Sequence, residues 1–207
     1  RIACMLIIPA AIGLFVLAEP IIAAIFYGGM FDSHDVLLTA LSLKAFSIGL
    51  IGFSFVKILS PAYFARKDTL TPVKIGIFCL LLNIILGSSS VYYLSEIDYE
   101  GTHLGLALSI SVAAILNAGL LFSGLKKKNI IKRLSGFKEF IVKLLIANSF
   151  MLIFLMYTIQ PLEWWLGLGV LKRFSWLAFF ILVSVGIYVL ILSLLGMKIK
   201  ELRFQEE

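Results

Sequence analysis

The sequence predicts an all-α polytopic membrane protein with six transmembrane helices. Three observations carry this. Hydrophobic residues make up 61% of the 207 and charged residues only 14%, whereas soluble domains average about 25% charged. The mean hydropathy is +1.05. The apolar residues fall in blocks of roughly 20, the length of a bilayer-crossing helix. They are continuous, without the alternation of a transmembrane strand.

The first span is predicted over residues 2–27 and contains Pro9 and Pro20. Glu19-Pro20 is expected to end its straight part, with 21–29 as a short continuation or a re-entrant turn. The second span covers 36–65, the third 72–94 and the fourth 103–125. The fifth covers 140–159 and the sixth 174–196. The chain opens at Arg1 without a signal-peptide pattern and leads directly into a span. This reads as the C-terminal part of a longer protein, or a processed piece.

The connecting loops alternate in charge. Arg66, Lys67 and Lys74 surround one turn. Lys126, Lys127, Lys128, Lys132, Arg133 and Lys138 fill another, and Lys198, Lys200 and Arg203 lie in the tail. Between them, one loop holds Asp32, His34 and Asp35, and another holds Glu96, Asp98 and Glu100, neither with a Lys or Arg. The last holds Glu163, the Trp164-Trp165 pair read as an interfacial anchor, and Lys172 and Arg173. The positive-inside rule makes the basic loops cytoplasmic. Both ends are then cytoplasmic, which requires an even number of spans. Lys172 and Arg173 depart from the rule, and are read as tolerated at a headgroup.

The net charge of +6 therefore reports topology and anionic lipid headgroups rather than nucleic acid, for which no folded basic surface exists. Cys4 and Cys79 lie in apolar runs and read as small buried residues. There is no HExxH, GxSxG, Walker-type glycine loop or paired-cysteine motif, so nothing argues for an enzyme. His34 and His103 read as solvated polar residues. Asp32 and Asp35 flank His34 as a metal site would, but Asp32 or Ser33 also suits a cap for the following span.

Residues 57–74 concentrate the remaining signals. Lys57 falls inside the second span near its cytoplasmic end. It either snorkels to the headgroups or faces a cavity as a cation for an anionic headgroup such as a pyrophosphate. Gly49, Gly52 and Ser54 before it permit close helix contact. Pro61 follows at i+4 and cannot donate to the Lys57 carbonyl, so a helix break or hinge is expected at Ser60-Pro61. Lys44 is read as snorkelling at the other end, and Glu19 as interfacial. Asn83 in mid-span reads as interhelical glue or as a weak candidate ligand for a monovalent cation, and Asn117 invites the same two readings.

The run 9–35, PAAIGLFVLAEPIIAAIFYGGMFDSHD, and the run 49–77, GLIGFSFVKILSPAYFARKDTLTPVKIGI, resemble the lipid II flippases of the MurJ (MviN) family. These belong to the multidrug/oligosaccharidyl-lipid/polysaccharide exporter superfamily. Gly105 to Ser111 and Asn117 fit as well. The resemblance implies a fourteen-helix fold: two six-helix lobes around a central cavity, plus two further helices. Residues 1–125 would be the last four helices of the second lobe and 126–139 a basic cytoplasmic loop. Residues 140–207 would be the extra pair, forming an apolar groove for a lipid tail, with the cytoplasmic tail.

It implies translocation of lipid II, an undecaprenyl-pyrophosphate-linked disaccharide peptide, from the inner to the outer leaflet of a bacterial inner membrane by alternating access. Partners would be lipid II, membrane lipids and an N-terminal lobe of the same protein, without which the fragment is expected not to transport. No organic cofactor is implied; coupling to sodium or to the membrane potential is. Some members bind sodium through an Asn and an Asp one turn apart on the equivalent of the third span. Asn83 matches the first, but Gly87 stands in place of the acid. The alternative is a polysaccharide-lipid or multidrug exporter of the same superfamily. A passive membrane scaffold gains nothing from intramembrane lysines.

Overall fold

A computed structural model describes residues 1–97, 99–128 and 136–197. Among them the chain forms helices α1 (Ile2–Val16), α2 (Ala18–Phe26), α3 (Ser33–Phe64), α4 (Leu70–Glu96), α5 (His103–Lys127), α6 (Phe137–Thr158), α7 (Leu162–Leu166) and α8 (Val170–Leu194). Helices α3, α4, α5, α6 and α8 are each long and apolar enough to cross a membrane. The pair α1–α2 makes a sixth crossing if counted as one bent span. The predicted all-helical membrane chain is therefore present among the described residues, with five to six candidate spans against the six expected. Asp98, Lys132, Arg133, Lys198, Lys200 and Arg203, used above for topology, lie outside the described residues.

The bend between α1 and α2 is 67° and falls at Leu17, upstream of the Glu19-Pro20 site expected from sequence. Proline has no amide hydrogen, and its ring crowds the carbonyl four residues back. For Pro20 that carbonyl belongs to Val16, where α1 ends. Pro20 is instead accommodated in the first turn of α2, where its missing donor costs nothing. Beyond α2 the chain reverses through Gly28 (φ 147°) and Gly29 (φ 60°), backbone angles that exclude most side chains. Asp32 then caps α3. Its carboxylate accepts the amides of His34 at 2.8 Å and Asp35 at 3.0 Å, while Asp35 accepts the Asp32 amide at 3.0 Å. This is a reciprocal capping box, and it accounts for the acid–His–acid grouping.

Helix α3 runs through Pro61 to Phe64, so the helix break expected at Ser60-Pro61 does not form. A proline in the last turn removes a single helical hydrogen bond, and the helix ends one turn later anyway. The stop is a Schellman-type turn. The Asp68 amide donates to the Tyr63 carbonyl at 3.1 Å and the Lys67 amide to the Phe64 carbonyl at 2.9 Å. Lys67 takes the left-handed conformation, φ 61°.

Contacts divide the described residues into two compact units: those of Arg1–Leu37 with Leu134–Glu207 (unit 1), and those of Leu38–Arg133 (unit 2). In unit 1, α6 packs on α8 and α1, and α2 packs on α7 and α8. Trp165, Leu144, Met151 and Leu155 are fully buried there. Trp165 is thus core rather than an interfacial anchor. It sits edge-on to Trp164 at 5.4 Å and against Phe180 at 5.9 Å.

In unit 2, α4 lies along α5, with Gly87 and Gly105 at the seam. Helix α3 meets α5 where a Cβ on Gly52 would lie 2.6 Å from backbone atoms of Ala114 and Ile115. The Ser111 hydroxyl crosses this contact to the Ala45 carbonyl at 2.8 Å. The close approach expected of Gly49 and Gly52 is borne out.

Candidate functional site

The structure places the sequence-derived candidates apart. Lys57 is exposed on α3, and Pro61, one turn further, is exposed too. The neighbouring Val56 and Leu59 pack against a buried cluster of Tyr63, Leu121 and Leu125. That packing fixes the helix on which Lys57 stands. Asn83 lies on α4, its Oδ1 buried with no hydrogen-bond partner, as is that of Asn117. Neither oxygen makes the interhelical bond that a glue role calls for.

The sodium reading meets a steric test at Gly87. It is buried, and a Cβ there would lie 3.1 Å from Ser109 Oγ and 3.3 Å from Leu106 Cδ2. The position one turn from Asn83 therefore has no acid, and a side chain there would press on those of Ser109 and Leu106. Asn83 contributes an orphan acceptor and no carboxylate.

Unit 2 gathers a polar cluster at the basic end of its helices. The Asp68 carboxylate accepts hydrogen bonds from Lys128 Nζ, from the Thr71 amide at 3.1 Å and from the Thr71 hydroxyl at 2.8 Å. The Lys128 bond first, then those of Thr71, pull its pKa down to about 2. Lys128 also stands 5.5 Å from the centroid of the Tyr63 ring, and the Tyr63 hydroxyl donates to the Leu121 carbonyl at 2.7 Å. The end of α3, the start of α4 and the end of α5 are thereby tied together. Arg66, Lys67, Lys74, Lys126 and Lys127 are exposed around them. The other end of the unit carries Glu96, Glu100 and His103, whose Nε2 lies 3.2 Å from the Leu38 carbonyl. Charge is thus segregated along the helices, as the loop pattern requires.

Unit 1 contains an apolar cavity of about 410 Å³ between α1, α2, α6 and α8. Pro9, Gly13, Ile21, Met151, Ile181 and Val185 are among its walls. The Tyr188 hydroxyl donates to the Met5 carbonyl at 2.7 Å, joining α8 to α1 across it. Lys57, Pro61 and Asn83 do not line this cavity. Its walls suit an apolar chain and offer almost nothing to a charged group.

Arg173, like Trp165, is a residue that sequence reasoning placed wrongly. Far from resting at a headgroup, it is 5% exposed. Its Nε donates to the Trp165 carbonyl at 3.0 Å and its Nη2 to the Leu166 carbonyl at 3.0 Å. Its Nη1 donates to the carbonyls of Ala23 at 3.3 Å and Tyr27 at 3.1 Å. The guanidinium also stacks 4.7 Å from the Tyr27 ring centroid. Its departure from the positive-inside rule was the available signal: a cation on the wrong side of a membrane is often engaged by protein.

These features define a class: a polytopic α-helical membrane protein, one unit of which gathers basic residues at one end of its helices while the other holds an apolar cavity. A family model described as lipid II flippase MurJ matches residues 1–193. A probable lipid II flippase MurJ of Vibrio cholerae is 34% identical over all 207 residues, which cover 38% of that protein. One from Haemophilus influenzae is 34% identical over 96% of this chain and 37% of its own length. The lipid II flippase MurJ of Burkholderia cenocepacia is 35% identical over 96% of this chain and 37% of its own. The chain belongs to the MurJ lipid II flippase family. It spans under two fifths of the length of these relatives.

Proposed function

We propose that this chain acts within a flippase that carries lipid II from the inner to the outer leaflet of a bacterial inner membrane. It is a transporter, not an enzyme. The observation that carries the reading is the presence of two environments suited to the two ends of such a lipid. One is the apolar cavity of unit 1; the other is the cation-rich face of unit 2. A prenyl tail gains by leaving water and fits the first. A pyrophosphate needs cations and fits the second.

In this reading residues 1–125 are the last four helices of a transport lobe and 140–207 the pair that, with α1 and α2, holds the tail. The basic loop 126–139 and both chain ends are cytoplasmic, and charge segregation in unit 2 supports that orientation. Lys57 meets the headgroup, and Pro61 softens the end of α3 by withholding a hydrogen bond from the Lys57 carbonyl. The reading routes no step through sodium, since Gly87 supplies no carboxylate one turn from Asn83. A polysaccharide-lipid or multidrug exporter is the less favoured reading, since the relatives named above are lipid II flippases.

The test is complementation by the full-length protein in a strain depleted of its own flippase. Lys57→Ala is expected to abolish growth and Lys57→Arg to retain part of it. Normal growth on Lys57→Ala would remove Lys57 from the substrate path.

A further inference from the structure

The cavity of unit 1 has one wall that cannot support itself. Helix α2 has nine residues and follows a 67° bend, yet it contributes Ile21 to the lining, next to Leu17 at the bend. A helix this short is marginal alone, and its last carbonyls have no intrahelical donor. Helix α7 has five residues and, beyond the Leu168 amide on its Trp165 carbonyl at 3.2 Å, the same need of donors. Arg173, from the first turn of α8, supplies both. It reaches Ala23 and Tyr27 at the end of α2, and Trp165 and Leu166 at the end of α7.

All four acceptors are backbone carbonyls. The positive charge is met by two helix C-termini, which carry partial negative charge, and by the face of Tyr27. Only a planar fork with donors on three nitrogens can serve carbonyls so spread. A lysine has three donors at one point.

We infer that Arg173 is a positioning residue: it fastens α2 to α7 and α8, and so sets the wall of the apolar cavity and its capacity for a lipid tail. The link to tail binding rests on the function proposed above; the fastening does not. Arg173 touches no substrate in this scheme. Its charge serves the protein's own backbone.

The experiment uses the full-length protein with native cysteines replaced and spin labels at Ile25→Cys on α2 and Ser175→Cys on α8, both exposed positions. The unaltered Arg173 protein should give one narrow distance distribution. Arg173→Lys and Arg173→Gln should at least double its width, while the protein stays monodisperse in detergent. A diazirine-bearing long-chain prenyl phosphate then reads out the cavity. It should label α1 and α8 peptides in the parent and at least tenfold less in Arg173→Lys. A narrow distribution in Arg173→Lys overturns the fastening role. A broadened distribution with undiminished labelling overturns the control of the cavity. If the parent itself is not labelled in α1 or α8, the tail-binding reading fails, and the distance distributions alone decide the fastening.

Discussion

Unit 1 and unit 2 differ in the tightest points of their helix seams. In unit 2 the seams are built from what is missing. Gly52 lies against the backbone of α5, Gly105 against Ser90, and Gly87 against Ser109. In unit 1 the seams are built from bulk. Trp165 is fully buried, Phe180 is nearly so, and Arg173 fills the space between two helix ends. Lipid tails are as apolar as leucine, so burying a leucine against a neighbour gains little inside a membrane. What remains is close van der Waals contact, which small residues give, and satisfied polar groups, which Arg173 gives. The glycine seams of unit 2 are therefore sensitive to added atoms, and the Trp165 seam of unit 1 to removed ones.

The largest test of this contrast is Trp165→Ala. It removes a fully buried side chain, with an expected loss of about 3–5 kcal/mol, measurable as a fall in the unfolding midpoint in detergent. The converse test is Gly52→Ala, which adds one methyl. Its Cβ would meet backbone atoms at 2.6 Å, and backbone cannot swing aside, so a loss of about 1–3 kcal/mol is expected. Gly119→Ala, on α5 with nothing within 4 Å, should cost nothing. Equal effects at the two glycines would dissolve the distinction.

The smallest effect concerns the tie at the basic end of unit 2. The pKa of Asp68 is depressed to about 2 from an ordinary value near 4. A depressed carboxylate contributes its stability above the ordinary pKa and loses it as pH falls through the depressed one. The stability difference between the parent and Asp68→Asn should therefore be constant from pH 8 down to about 4, and should close toward pH 2. The carboxylate is solvent-accessible, so the difference will be modest. A difference that changed between pH 6 and 8 would show that another group is involved.

Much of this architecture is written in local patterns. Apolar length fixed the spans, and the loop cations predicted the segregated ends of unit 2. The cap by Asp32 followed from its place before an apolar run. Gly49 and Gly52 announced a close contact because their spacing puts them on one helix face. What escaped were features that depend on distant partners. The bend at Leu17 came from a clash four residues before Pro20, so the proline marked the break without sitting at it. Pro61 read as a break because proline usually is one, and only its nearness to the helix end made it harmless. Trp165 read as interfacial because tryptophan often is; its burial depends on Phe180 and its neighbours. Asp68 and Lys128, sixty positions apart, gave no local sign of pairing. Neither did Arg173 and the carbonyls of α2.

Lys67 stands where helix ends most often place a glycine. Its left-handed backbone costs a residue with a side chain roughly 1–2 kcal/mol. Sequence optimisation guided by backbone preference would convert it to glycine and record a gain in stability. The same change would delete a cation from the rim of unit 2, between Arg66 and the Asp68 tie. Thermostabilised versions of this protein, prepared for crystallography or for inhibitor screening, are thus exposed to a specific error. A better-behaved sample would have lost a charge that a turn holds in a fixed direction.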